Sequence, residues 1–131
     1  MIACLFAILA GICNSIMDVT QFHYSTSIFS NFKTKWFAKD SWRNKYKNRD
    51  KKQGPLFPGS TTIFVFVTDG WHFFQSLMIT FFILMALFYK PLVHLQWKGL
   101  ELLVSFIILK ILYSLTFELF YSIIWKKRLG R

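Results

Sequence analysis

The sequence predicts an all-α integral membrane protein with three transmembrane helices and a basic connecting loop, in one membrane domain over residues 1–131. Three apolar stretches, at about residues 2–18, 62–88 and 100–125, are near or above the length that crosses a bilayer as helix. Apolar residues make up 54% of the chain and 20% are aromatic, with 16 Phe. A soluble domain of this size has too little interior for so many rings. Charged residues are only 17%, yet the formal net charge is +10. Apolar bulk with a concentrated basic surplus suits a membrane protein whose basic residues collect on one side. The charge sits beside the spans, so the bilayer rather than nucleic acid is the expected partner.

The first segment, Ile2 to Met17, carries no charge before Asp18. It lacks the basic n-region and the small-x-small site of a cleaved signal peptide, so it is expected to be retained as a helix. Cys4 and Cys13 lie within it at no metal-ligand or disulfide spacing and are expected to pack as small apolar residues. A polar loop, 19–60, follows. Its middle, Lys33 to Lys52, holds nine Lys or Arg and two Asp, interleaved with Trp36, Phe37, Trp42 and Tyr46. Basic residues mixed with Trp and Tyr suit a segment at headgroup level. Gly54-Pro55 and Pro58-Gly59 then punctuate the chain.

The second apolar segment, Thr61 to Phe88, would be about 42 Å long as one helix, more than the roughly 30 Å hydrocarbon core requires. It is expected to tilt, or to kink at Gly70; its β-branched start, Thr61 to Val67, has modest helix propensity. A short connection with Pro91 and Trp97 leads to the third segment, Leu100 to Trp125, which stops at Lys126-Lys127-Arg128. Loop 19–60 and the tail hold thirteen Lys or Arg, against two in the connection between spans two and three. The positive-inside rule then places loop and C-terminus in the cytoplasm and the N-terminus outside.

Each span carries polar or small residues at helical spacing: Cys4, Gly11, Asn14 and Asp18; Asp69, His72, Ser76 and Thr80; Lys110, Ser114, Glu118 and Ser122. Polar groups facing lipid are unfavourable, so the stripes are expected to face one another. Helical rise puts Asp18, Asp69, His72 and Glu118 at similar depth in the cytoplasmic leaflet, with His23 and Asn14 at the margin. An intramembrane carboxylate beside an imidazole is read as functional by default. Asp69-x-x-His72 also sets two ligand-type side chains on one face, a pattern that suits a divalent metal such as zinc, manganese or iron. The alternative is that these groups satisfy one another and serve packing alone. Ser-His-Asp order, a Gly-rich phosphate loop and H-E-x-x-H are all absent from the sequence.

Ser41-Trp42-Arg43-Asn44-Lys45-Tyr46, followed by Gly59 to Phe66 and then Thr68-Asp69-Gly70-Trp71-His72, resembles small bacterial membrane proteins with an S-W-x-N-K-Y block ahead of a T-D-x-W-H block. The start, Asn14 to His23, is also similar. That group has no known activity; the resemblance implies a bacterial cytoplasmic (inner) membrane protein and no reaction.

The function these readings predict is a site in the cytoplasmic leaflet, built from Asp18, Asp69, His72 and Glu118 with His23 and Asn14, that binds a cation, a proton or a lipid headgroup. Arg43, Lys45 and Lys47 are expected to attract anionic headgroups. One alternative is a metal-dependent enzyme acting on a lipid-like substrate, with Asp69 and His72 as ligands and Glu118 as acid or base. Another is a structural or oligomer-forming protein. A chain this small has a thin core, which predicts a homo-oligomer.

Overall fold

The computed structural model describes residues 1–32 and 34–127; Lys33 of the loop, and Arg128 and Arg131 of the basic tail, lie outside the described residues. Among the described residues, three α-helices are long and apolar enough to cross a membrane: α1, Ile2–Phe22; α2, Gly70–Leu87; and α3, Lys98–Leu119, continued by a π-helical turn, Phe120–Ile124. α1 runs a turn beyond Asp18. It is the central helix, packed by both others, and it buries Ala3, Ala7, Ala10 and Gly11. Small residues let backbones approach closely. At Gly11 the approach is extreme, since an added Cβ would lie 2.7 Å from the Tyr113 carbonyl oxygen of α3.

The second apolar run is broken, not kinked. Residues 61–68 form turns with a short 3₁₀ piece, Val65–Val67, and α2 begins only at Gly70. Two interactions fix that start. Asp69 is extended (φ −155°, ψ 161°) and its side chain accepts from the His72 amide at 3.0 Å, an N-cap. The Gly70 amide donates to the Trp36 carbonyl at 2.9 Å, and a Cβ there would meet the Phe37 ring at 3.0 Å. What remains, 18 residues, is about 27 Å of helix, close to the hydrocarbon thickness.

Because α1 continues to Phe22, the connection is 23–60 rather than 19–60, and it is folded against the helix ends. It is built of 3₁₀ turns and pinned by Arg49 to Asp40 (2.8 Å) and by the Ser60 hydroxyl donating to the Lys45 carbonyl (2.9 Å). Phe29 is buried against Phe37 and Trp125, with ring centroids 5.0 and 5.2 Å away. The end of α3 is tied down as well. Ile28 donates to the Trp125 carbonyl and Lys127 to that of Thr26, both at 2.9 Å, while the Trp125 indole donates to Ser15 Oγ at 2.8 Å. Ser15 is fully buried. Ser15→Ala is therefore expected to strand an indole N–H and lower stability by about 1–3 kcal/mol, read as a drop in unfolding midpoint in detergent.

The polar face of α3 differs from expectation. Lys110, Ser114 and Glu118 are exposed, while Glu101, Ser105 and Leu109 are buried. The connection after α2 explains the rotation: Ser105 Oγ accepts from the Leu92 amide and Glu101 from the Leu95 amide, each at 3.1 Å. These amides have no helical partner, and α3 turns its acceptors towards them.

Candidate functional site

A cavity of about 330 Å³ opens where the end of α1, loop residues 36–42 and the start of α2 meet. Its walls include Trp36, Phe37, Trp42 and Trp71; its polar lining includes Lys39, Gln21, Ser41, Asp69 and His72. The tie from Gly70 to Trp36 is what brings loop and helix together here.

Asp69 and His72 are paired. His72 Nδ1 lies 2.7 Å from Asp69 Oδ2, while Oδ1 takes the His72 amide and the Thr68 hydroxyl lies 3.3 Å from Oδ2. The Asp69 side chain is 0% exposed and that of His72 21%. An ionised carboxylate only accepts, so the shared proton belongs to Nδ1 and Nε2 is the free ring atom. This arrangement holds the ring orientation and sets the tautomer. The same turn caps α2, so helix start and imidazole orientation have one cause.

Burial pushes the Asp69 carboxyl up, and the hydrogen bonds from the His72 ring, the His72 amide and Thr68 outweigh it, holding the group below its ordinary value of 3.8. A lowered carboxylate stabilises the fold fully above its unfolded value, and that contribution is lost as pH falls through the lower folded one. Stability in detergent is expected to show an Asp69 contribution that is constant above about pH 5 and falls away below about pH 4, and a loss of that acid limb in Asp69→Asn.

The other expected site residues lie elsewhere. Asn14 and Asp18 sit beside Tyr113 on the α1–α3 seam. The His23 ring meets Tyr121 edge-on at 5.5 Å. Glu118 is exposed and accepts from Ser122, away from the cavity. Of the loop cations, Arg43 stacks over Trp42 (5.4 Å), Lys45 lies by Tyr46 (5.7 Å) and Lys47 is exposed; none of them lines the cavity. The four-residue convergence therefore reduces to Asp69 with His72. Among the described residues, no three His, Cys, Asp or Glu are grouped as a metal site. Sequence reasoning missed Lys39, Gln21, Ser41 and Trp71 as cavity residues; the interleaving of aromatic and basic residues around Trp36 and Trp42 was the available signal.

Compared with protein-family models, curated proteins and solved structures, the chain matches none.

Proposed function

We propose that this is a small polytopic membrane protein whose cavity, at the cytoplasmic face, binds the polar headgroup of a lipid-like molecule. The observation that carries the reading is the buried Asp69 holding a partly exposed His72 at an aromatic-walled cavity. Cavities of a few hundred Å³ with apolar walls and a few convergent polar groups are the usual form of a small-molecule site. Tryptophans around it suit the membrane–water boundary, and the basic loop suits the cytoplasmic side. A metal-dependent enzyme is less well supported, because both Asp69 oxygens are already engaged and, among the described residues, the ligand set stops at two.

Photo-crosslinking tests the proposal. With a headgroup-diazirine phospholipid in nanodiscs, label is expected on peptides covering residues 36–42 and 69–72, and to decrease in His72→Ala. Label confined to the exposed apolar faces of α2 and α3 would overturn it.

The orientation carries its own expectation. In a background without Cys4 and Cys13, Lys47→Cys is expected to react with an impermeant maleimide only after cells are opened. Reaction in intact cells would reverse the topology.

A further inference from the structure

We infer that the cavity at the head of α2 takes the phosphate of a phosphate-bearing amphiphile, with Lys39 and the Trp71 indole N–H as donors to its oxyanion, His72 Nε2 as acceptor from its remaining P–OH, and Trp36 and Trp42 as apolar walls. This deepens the headgroup reading and rests on it.

The inference follows from which donors and acceptors remain free. Among the described residues Asp69 is the only carboxylate in the lining, and it is spent: it is fully buried and accepts from the His72 ring and amide, with Thr68 alongside. The Thr20 hydroxyl is turned onto its own helix, 2.8 Å from the Ile16 carbonyl and 3.0 Å from that of Met17. Of what the lining still offers, Lys39 and the Trp71 indole only donate, Gln21 and Ser41 can donate or accept, and His72 Nε2 accepts. Lysine and indole nitrogens donate and never accept. Trp71 adds an independent observation, for its Nε1 is buried and has no hydrogen-bond partner among the described residues. Buried donors nearly always have a partner, and because this one has almost no accessible surface the Trp71 ring must turn for a ligand acceptor to reach it.

Charge points the same way. The loop that forms one wall carries nine Lys or Arg against Asp40 and Asp50. An organic cation would meet aromatic faces but no free carboxylate, and it would be repelled by Lys39. A phosphate oxyanion satisfies the donors, and the aromatic walls accept the apolar portion next to it. A free phosphate ion would use the donors and leave those walls without a role.

Calorimetry on the purified protein in a neutral maltoside detergent tests this, with three probes: dihexanoyl phosphatidic acid, inorganic phosphate and dodecyltrimethylammonium. The expected result is saturable binding of the phosphatidic acid, weakened about tenfold or more by Lys39→Gln and by Trp71→Phe with melting temperature unchanged. Lys39 is exposed, so its variant separates binding from folding. Inorganic phosphate binding as tightly as the lipid would overturn the amphiphile. Preferential binding of the ammonium probe, lost in His72→Ala, would overturn the oxyanion and leave the headgroup reading standing. Failure of all three probes, together with absent photo-crosslinking to residues 36–42 and 69–72, would overturn both.

Discussion

Asp69→Ala is expected to lower stability by about 2–3 kcal/mol and to abolish ligand binding. The estimate joins the loss of an N-cap, roughly 0.5–2 kcal/mol, to the loss of the acceptor for a partly buried imidazole. Asp69→Asn separates the two roles. Asparagine caps helices as well as aspartate, so the start of α2 survives and stability is expected within about 1 kcal/mol of the parent at neutral pH. Its Oδ1 can keep the His72 amide, but an NH₂ donor then faces Nδ1 where an acceptor stood. The ring must change tautomer or turn away, so binding should fall while the fold persists. Unfolding midpoints in detergent and calorimetry on the same preparations check this. If the asparagine variant is as unstable as the alanine variant, the carboxylate–imidazole hydrogen bond rather than the cap holds this end of α2.

Gly11→Ala is expected to be the most disruptive single-methyl change in the helix core. Its Cβ would sit 2.7 Å from the Tyr113 carbonyl oxygen, 3.2 Å from Thr116 Cβ and 3.3 Å from the Phe117 amide nitrogen. Two of these atoms are backbone and cannot rotate aside, so α1 and α3 must separate. Overpacking of this kind lowers stability by about 1–3 kcal/mol. Gly99→Ala is the matched control, because a Cβ there meets nothing within 4 Å. A Gly11→Ala protein as stable as Gly99→Ala would mean that the α1–α3 contact is looser than described.

The three helices were legible in the sequence because long apolar runs admit few other structures. The start of α2 was only half legible. Thr61 to Phe88 is apolar almost throughout, and what stops the helix at Gly70 is a hydrogen bond from its amide to Trp36, 34 residues away by sequence number. Sequence spacing contained the Asp69 cap but could not tell a cap from a metal ligand, since a cap accepts from the amide three residues on, whatever that residue is, and here that residue is a histidine. On α3 two polar sets share four-residue spacing, Glu101 with Ser105 and Lys110 with Ser114 and Glu118. The amides of Leu92 and Leu95 decide between them, and those lie in a connection with no periodicity. The cavity was legible in its parts and not as a whole, because its lining comes from three separate segments.

The account turns on His72 being held by Asp69 with Nε2 free at the cavity. Nitrogen-15 NMR of histidine-labelled protein in detergent measures this directly, with His72→Gln assigning the signal among the three histidines. The account predicts that the neutral ring carries its proton on Nδ1 in the parent, loses that preference in Asp69→Asn, and shifts at Nε2 when dihexanoyl phosphatidic acid is added. A parent ring protonated on Nε2, with no response to the lipid, would contradict it.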